Sequence, residues 1–515
     1  MLLEQHAAPP DLASAIAATK LLRQAVKASA TASGSVQLTD SETGFAVELT
    51  REDATLLAAP APAAKALWDA LLGMGLTDAV STAAEARHRQ RKTFSASTPP
   101  VAERLRNRIA SACREVPFFS RRANSYDCSS IAGANPLHGL PFMRKSDIRA
   151  NFPDGLIPET VDVAAGLRDG SICVVATSGS TEERIQVFSY TAIERLPFGS
   201  DDLFALPIGG TQPRTAIFTT PVCFAGRCHS SQSSFEARLS SVCPDLMLVP
   251  ARDPFVLDRD FILCFCDDIE RFRPIILAAD PIYLQCLVRR AREFGIALPK
   301  VQLIQRDFEF GTQAAIRDLR NGFNAPVFDD YGASEENRLA VACHQGSLHV
   351  RSDAVYLEIL NEHGPCPPGV VGAVAVTSFL SLTPLIRYLI GDLAEWTGAP
   401  CRCEFADWPT LRLHGRARDR LRCGDHWMTP LQIDEAIGAP AWLDFYRVNQ
   451  LDEDEFEIQV IPSLGMDCHF AELIERLQPS MHGCSLHCKT VSRLEPLPSL
   501  KFGNTLTRTI PRTAP

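Results

Sequence analysis

The chain of 515 residues has no excess of positive charge: 51 Lys and Arg residues stand against 61 Asp and Glu residues, for a formal net charge of −10. Because proteins that bind nucleic acid carry a basic surface, no nucleic-acid partner is expected. The sequence also lacks a recurring period of about 20 to 50 residues, which argues against solenoids and propellers. What remains is an ordinary globular composition, 46% hydrophobic and 22% charged, with enough length for several domains.

Signals for export or membrane insertion are also lacking. The first residues, Met1-Leu-Leu-Glu-Gln-His, have neither the basic segment nor the apolar core of a signal peptide. The stretch from Gly364 to Ile386 carries no charge, but four prolines interrupt it, so buried strands and turns are expected there and no membrane span. The 17 cysteines are scattered, and without an export signal they are expected to be reduced thiols in a cytoplasmic protein.

Three regions differ in their patterns. Residues 1–95 are Ala-rich, with helical patterning at Leu12–Ala30 and Ala63–Gly73 around two alternating β-type runs; a small winged-helix-like module and an Ala-rich helical arm both fit this extension. Across residues 96–418, short β-rich runs alternate with helical stretches, which predicts an α/β fold whose large domain is built on mixed or parallel sheets. Residues 419–515 have strands and a helix of their own and are expected to form a small α+β domain.

One loop has the composition of a phosphate-binding site. A β-branched run, Ile172–Ala176, leads into small and hydroxyl-bearing residues, and a β-type pattern resumes at Ile185. The loop residues are Thr177, Ser178, Gly179, Ser180 and Thr181. Such residues let the backbone approach a phosphate and offer several donors to its oxygens. The loop is not a Walker motif, because the Gly-Lys pair is missing and a strand follows. An ordinary Ser/Thr/Gly turn also fits.

Three further segments follow in order along the chain. Residues 327–335 place an aromatic residue, a glycine and a carboxylate at the end of a predicted strand. Residues 384–393 place Asp392 in a turn after a buried run, and residues 413–421 lie at the predicted domain boundary. Each segment alone fits a strand end, a turn or a charged hinge; their order and spacing are what is specific.

Together with the loop, these segments resemble core motifs of the adenylate-forming superfamily (acyl-CoA synthetases, peptide-synthetase adenylation domains and luciferases). Within it they most resemble the phenylacetate–CoA ligase-like branch, whose motifs are also similar to residues 140–152 and 276–284. The resemblance covers about residues 100 to 515. It implies an enzyme that uses ATP and Mg²⁺ to turn a carboxylate into an acyl-adenylate, releases pyrophosphate, and passes the acyl group to a thiol or an amine.

The resemblance implies roles for individual residues. The nucleotide-binding set comprises the loop residues with Asp330, Tyr331, Gly332, Asp392 and Arg416. The loop would hold the β- and γ-phosphates, Tyr331 would stack near adenine, and Asp392 would accept hydrogen bonds from the ribose. Arg416 would contact ribose or phosphate and join the catalytic set with Glu335, the Mg²⁺ ligand. Asp419 would be the hinge.

Two departures from the family pattern bear on catalysis. Thr181 is followed by Glu182 where a glycine is usual, which adds negative charge beside the phosphates, and Arg184 is placed to compensate. Near the C terminus, Asn504 stands where the family's catalytic lysine is expected, and Lys501 lies three residues earlier. Lys501 is favoured as the catalytic lysine because its side chain is long and flexible; the alternative is a slowed first half-reaction.

A metal site is also predicted. Its ligands would be Cys343, His349, Cys401 and Cys403, since thiolates and one imidazole suit tetrahedral Zn²⁺. Their spacing is irregular and does not decide the matter. Some members of the resembling branch carry a Cys/His zinc cluster at matching positions, which implies a structural zinc.

The family resemblance places the acyl pocket at residues 222–226 and 307–310, with Ala333 beside them. Its predicted lining is Phe224, Ala225, Phe308, Glu309, Phe310 and Ala333. The phenylalanines suggest an aromatic or compact apolar acid. Glu309 fits either a reader of an amino group or a strand-end acid of the family.

The leading hypothesis is an ATP-dependent ligase with coenzyme A as acceptor. A biosynthetic adenylating enzyme that delivers to an amine or a carrier protein is the alternative, and a nucleotide-binding pseudo-enzyme is a third. The oligomeric state stays open, a homodimer included.

Overall fold

The computed structural model describes residues 12–18, 22, 25–41, 46–58, 100–126, 131, 136–176, 185–190, 214–219, 235–239, 246–250, 253–336, 338–343, 345–403, 405–497 and 501–507. The predicted phosphate loop, Phe224, Ala225 and the predicted helix at Ala63–Gly73 lie outside these residues.

The N-terminal extension contains a three-stranded antiparallel sheet in the order β1-β2-β3. Its elements are α1 (Leu12–Ala18), β1 (Val26–Ala30), β2 (Val36–Asp40), β3 (Ala46–Leu49) and α2 (Arg51–Leu57). Ile16, Val36 and Leu38 are fully buried in its core. The helix expected over Leu12–Ala30 is present at Leu12–Ala18 and wrong at Val26–Ala30, which forms β1: a turn containing Gly34, with φ of 80°, brings β1 back against β2. Strand pairing overrides the helical propensity of the Ala-rich sequence.

A twelve-stranded mixed sheet forms the centre of the described chain, in the order β14-β13-β15-β16-β17-β12-β11-β10-β9-β8-β6-β7. Its strands are β6 (Thr215–Thr219), β7 (Leu246–Pro250), β8 (Ile276–Ala279), β9 (Leu303–Arg306), β10 (Val327–Gly332), β11 (Arg338–Ala342), β12 (Leu348–Val350), β13 (Val355–Asn361), β14 (Gly364–Pro365), β15 (Gly372–Ser378), β16 (Tyr388–Trp396) and β17 (Thr410–Arg416). The strands from β7 to β10 run parallel, and the remaining pairs are antiparallel. Strands β4 (Ile172–Ala176) and β5 (Gln186–Tyr190) form a separate antiparallel hairpin, and the sequence that connects them contains the predicted phosphate loop.

Helices cover the sheet as α/β alternation predicts. They are α3 (Val101–Glu115), α4 (Pro117–Ser120), α5 (Lys145–Asn151), α6 (Val163–Asp169), α7 (Phe235–Arg238), α8 (Arg259–Phe272), α9 (Pro281–Glu293) and α10 (Gln313–Phe323). Helix α9 follows β8 directly: the Asp280 side chain caps its first turn and Pro281 occupies the first helical position, where no N–H is needed. Among the described residues, no helix combines the length and apolarity needed to cross a membrane.

A four-stranded sheet in the order β22-β21-β20-β23 follows the central sheet. The elements of this region are β18 (Leu421–Cys423), β19 (His426–Met428), α11 (Pro430–Ile437), β20 (Leu443–Gln450), β21 (Glu455–Pro462), α12 (Phe470–Leu477), β22 (Ser485–Thr490) and β23 (Thr505–Thr507). Phe445 and Phe502 from this region pack into the core of the parallel half. Phe502 lies between Phe255 and Tyr283, with ring centroids 5.4 and 5.7 Å away. The division into domains at residues 95 and 418 stays a prediction.

Candidate active site

Asp392 and Arg416 stand opposite each other on adjacent strands. In the antiparallel register of β16 and β17 they are direct partners, and Arg416 Nη1 lies 3.0 Å from Asp392 Oδ1. Asp392 was expected in a turn, which is wrong: it lies within strand β16 and pairs with Arg416 of β17. Gly391 and Gly415, with φ of 93° and 92°, provide the irregular backbone next to each residue.

Tyr331 reaches the same carboxylate from the end of β10. Its hydroxyl donates to Asp392 Oδ2 across 3.0 Å, so each oxygen of Asp392 has a partner. Burial and the charge of Asp392 raise the pKa of Tyr331 well above its usual value, which keeps the hydroxyl protonated and donating. The neighbouring Asp392 also raises the pKa of Arg416, which is therefore charged at neutral pH.

Glu335 completes this group from the turn after β10. The hydroxyl of Tyr388, a fully buried residue at the start of β16, donates to Glu335 Oε1 across 2.7 Å. The charge of Glu335 also acts on Tyr331 and Arg416. We call Tyr331, Glu335, Tyr388, Asp392 and Arg416 the nucleotide cluster. Tyr388 was not among the residues predicted from the sequence, although it lies in the same segment, residues 384–393, as Asp392.

Asp330 points away from the nucleotide cluster. Alternation along β10 turns its side chain to the other face of the sheet from Tyr331. There Asp330 Oδ2 accepts from Gln305 Nε2 at 3.0 Å and lies 2.8 Å from Arg338 Nε. Burial raises the pKa of Asp330 to about 7, with Arg338 acting in the opposite direction. Gly332 ends β10 at an irregularity in register, and Ala333 accepts a backbone hydrogen bond in the following turn. Nucleotide binding by Asp330 and Gly332 stays a prediction.

Lys501 lies among the residues of the predicted acyl pocket. Its ammonium forms an ion pair with Glu309 and donates to the Phe308 carbonyl across 3.3 Å. The residue is only 8% exposed. The side chain of Asn504, at the usual position of the lysine, hydrogen-bonds the buried Tyr446 of the small sheet instead, and its backbone carbonyl accepts from Val448 N at 2.8 Å. The structure therefore brings Lys501, and not Asn504, to the carboxyl end of the parallel strands.

The segment after β9 has an unusual backbone. Phe308 has φ of 72°, a left-handed conformation that is strained for a residue with a side chain. The carboxylate of Asp307 stabilises the turn by accepting from Phe308 N at 2.7 Å. Phe308, Glu309 and Phe310 are all half-buried. Their assignment to an acyl pocket stays a prediction.

Asp419, the predicted hinge, lies in a short 3₁₀ turn between the two sheets. Its carbonyl accepts from the Thr505 hydroxyl across 2.6 Å, so strand β23 is tied directly to the linking segment. Its role as a hinge stays a prediction.

The four predicted metal ligands come together. Cys343 follows β11, His349 lies in β12, and Cys401 and Cys403 lie in the loop before β17. Their ligand atoms all lie within 4.8 Å of one another. Cys343 Sγ is 3.6 Å from Cys401 Sγ, and Cys403 Sγ is 3.2 Å from His349 Nε2. We call these four residues the cysteine–histidine cluster.

The geometry of the cysteine–histidine cluster fits a tetrahedral ion. Zinc–sulfur bonds of about 2.3 Å separate two tetrahedral sulfurs by about 3.8 Å, close to the observed spacing. His349 Nδ1 lies 3.2 Å from the carbonyl of Trp408, an arrangement that leaves Nε2 to face the thiols. The backbone N–H of Phe405 donates to Cys403 Sγ across 3.3 Å, a contact that suits a thiolate.

Known proteins are similar to this chain in sequence and in fold. No family model matches the chain. Phenylacetate-coenzyme A ligase of Thermus thermophilus is 25% identical over 376 residues, which are 70% of this chain and 80% of that protein. The chain is thus similar in sequence to a ligase of the adenylate-forming superfamily. The sequence resemblance to the phenylacetate–CoA ligase-like branch is thereby confirmed.

Solved structures confirm the mixed α/β fold. The crystal structure of 2-hydroxyisobutyryl-CoA ligase in the postadenylation state with R3-HIB-AMP is similar, with a TM-score of 0.59 at 17% identity, over 76% of this chain and 85% of that chain. The same ligase with 2-HIB-AMP gives a TM-score of 0.58 at 17% identity, over 80% of this chain and 86% of that chain.

Proposed function

We propose that this chain adenylates a carboxylic acid with ATP and transfers the acyl group to coenzyme A. The observation that carries the proposal is the convergence of two groups. The nucleotide cluster joins strands β10, β16 and β17, and the segment before β23 brings the amine of Lys501 close to it, with Glu309 between Lys501 and Arg416. The Thermus relative, a phenylacetate-coenzyme A ligase, supports the same reaction type.

In the proposed first half-reaction, a carboxylate oxygen of the acid attacks the α-phosphorus of ATP, and the bond to pyrophosphate breaks. Asp392, fixed by Tyr331 and Arg416, is placed to accept hydrogen bonds from the ribose hydroxyls. Lys501 supplies positive charge where the α-phosphate gains negative charge. Holding both reactants in one geometry supplies much of the remaining acceleration.

Mg²⁺ is part of the proposal. Glu335 offers a carboxylate that Tyr388 orients through a hydrogen bond, and Mg²⁺ is commonly held by one or two carboxylates together with substrate phosphates. When bound, the ion would neutralise phosphate charge. The predicted phosphate loop would hold the other end of the triphosphate.

Zinc is proposed for the cysteine–histidine cluster. The donor set of three thiols and one imidazole, the donor spacing and the His349–Trp408 contact support it. The ion would be structural, since four protein ligands fill a tetrahedral shell and leave no open position. It would tie the turn between β11 and β12 to the loop before β17.

The acceptor is proposed to be coenzyme A, and an amine or a carrier protein is the competing acceptor. A cytoplasmic setting stays a prediction from the sequence.

The test is carboxylate-dependent ATP–pyrophosphate exchange against a panel of aromatic, compact apolar and amino acids, followed by a trial of acceptors with the best acid. Exchange with at least one acid, and thioester formation with coenzyme A, are the expected results. Exchange with amide formation only would favour the amine acceptor, and ATP binding without any exchange would favour a pseudo-enzyme.

A further inference from the structure

Asp280 lies at the carboxyl end of a central strand of the parallel sheet. It follows β8, whose neighbours are β6 on one side and β9 on the other. Because β7 lies beyond β6, the chain changes direction across the sheet between β6 and β8. Ligands of open α/β sheets bind at the carboxyl ends of the strands, at such a switch point. Asp280 is therefore positioned where a small substrate is expected.

One oxygen of this carboxylate is unsatisfied. Asp280 Oδ1 caps helix α9 by accepting from Ile282 N and Tyr283 N at 2.9 and 3.2 Å. Asp280 Oδ2 is buried and has no hydrogen-bond partner among the described residues, and the side chain is 1% exposed. A buried carboxylate oxygen without a donor is costly, so the arrangement calls for a ligand that donates.

Two further acceptors lie close to Asp280, because the backbone N–H of Asp307 donates to the carbonyl of Ala279 across 3.1 Å and so sets residues 307–309 beside it. Glu309 raises and Lys501 lowers the pKa of Asp280, after the larger effect of burial. The Glu309 carboxylate and the Phe308 carbonyl both receive the ammonium of Lys501. We call Asp280 Oδ2, the Phe308 carbonyl and the Glu309 carboxylate the cradle. Its three acceptors match the three N–H donors of an alkylammonium group.

The acidic groups in and around the cradle can be compared with the cations that pair with them. Asp307 faces Arg338, which also pairs with Asp330, and Arg416 is held by Asp392. Lys501 is the cation whose charge acts on Asp280, and it pairs directly with Glu309, on which Arg416 acts as a second cation. If Lys501 serves the α-phosphate during adenylation, as the proposed function requires, its ammonium is drawn away from the cradle. Two acidic groups would then face an incoming acid that is itself negative.

We infer that the cradle binds an ammonium group of the substrate, so that the acid adenylated by this enzyme is an amino acid with an aromatic or compact apolar body. This inference rests on the proposed function and specifies its substrate class. The ammonium of Lys501 contacts two of the three cradle acceptors. Once Lys501 moves to the phosphate, the substrate ammonium would take its place, reach Asp280 Oδ2 as well and restore the charge balance. Asp280 and Glu309 are then residues that determine specificity.

The test compares matched acids in ATP–pyrophosphate exchange. Phenylalanine is paired with 3-phenylpropanoate, and 4-(aminomethyl)benzoate with 4-methylbenzoate; 4-(hydroxymethyl)benzoate separates charge from simple hydrogen bonding. The wild-type enzyme should prefer the ammonium member of at least one pair by about 10-fold or more in kcat/KM. Glu309→Gln and Asp280→Asn should each reduce that ratio by about 10-fold. The ratio is the readout because a general loss of activity cancels in it.

Asp329→Asn is the matched control, since Asp329 pairs with Arg306 on the partly exposed side of β10 and lies outside the cradle. It should leave the ratio unchanged. Asparagine retains the helix-capping oxygen at position 280, so that variant should fold. Exchange without preference for the ammonium member, or a ratio unaffected by both substitutions, overturns this inference alone. Absence of exchange with every acid overturns the proposed function and the inference with it.

Discussion

In the nucleotide cluster, each acidic side chain is held by a partner from the same sheet: Asp392 by Tyr331 and Arg416, and Glu335 by Tyr388. In the cradle, Glu309 depends on a lysine from the C-terminal segment, and an oxygen of Asp280 has no partner in the described structure. The first arrangement is preorganised before any ligand binds. The second is complete only with a cation that arrives from elsewhere, which is a property expected of a variable substrate site.

The largest effect is expected when the amine of Lys501, which lies between the cradle and the nucleotide cluster, is removed. Lys501→Ala should lower adenylation by on the order of 10²-fold or more, because the variant loses the positive charge that Lys501 offers to the α-phosphate. Transfer from preformed acyl-adenylate should barely change. Lys489→Ala is the control, since Lys489 pairs with Glu457 on the small sheet, 2.7 Å away. Equal exchange rates in wild type and Lys501→Ala would show that the C-terminal segment has no catalytic role.

A smaller loss is expected inside the nucleotide cluster. Asp392→Asn keeps the shape but removes the charge that strengthens its hydrogen bonds, worth roughly 1.5–3 kcal/mol each. Exchange should therefore fall by about 10- to 100-fold, mainly through weaker ATP binding. Asp353→Asn, whose partner Arg351 is outside the cluster, should be neutral. Unchanged ATP affinity in Asp392→Asn would refute the ribose assignment.

The next prediction asks whether the cysteine–histidine cluster, whose four side chains already contact one another, binds a metal ion. Protein purified without chelators should contain about one equivalent of zinc, and Cys401→Ser should lose both the metal and several degrees of thermal stability. Cys264→Ser, at an exposed cysteine in α8, is the control for loss of a thiol. Metal analysis that finds no zinc in fresh protein would contradict the site.

The smallest effect concerns stability and pH. Burial and Glu309 raise the pKa of Asp280 to about 7, above the value of an unfolded aspartate. The folded state therefore binds the proton more tightly, and this residue costs stability as the pH rises from about 4 to about 7. Asp280→Asn removes that dependence, so the melting temperature of the variant relative to wild type should rise by roughly 2 °C between pH 5 and pH 7.5. If the difference in melting temperature between the variant and wild type does not change over that pH range, Asp280 is not the source of the pH dependence.

The sequence predicted the residues of the nucleotide cluster better than their arrangement. Asp392 and Arg416 were both identified, but their opposition across β16 and β17 depends on register, which no local pattern encodes. Tyr388 was missed because a tyrosine in a buried run is usually a core residue. Glu309 and Lys501 were each identified, yet their pairing joins distant parts of the chain.

Local patterns explain the other outcomes. Asp280 was not identified from the sequence, because an aspartate before Pro281 is fully explained as a helix cap. The sequence does not show that its second carboxylate oxygen is buried without a partner. The strand at Val26–Ala30 was mistaken for helix because alanine favours helices in isolation, while pairing with β2 decides the fold. The cysteine–histidine cluster was identified through family resemblance, since its spacing alone did not specify it.

The decisive experiment for the proposed chemistry is ATP–pyrophosphate exchange by the wild-type chain with and without a carboxylic acid, run beside Lys501→Ala. Exchange is predicted to depend on the acid and to fall at least about 10²-fold in the variant. Exchange that does not need an acid, or none with any acid although ATP binds, would contradict the proposal that the nucleotide cluster and Lys501 carry out adenylation.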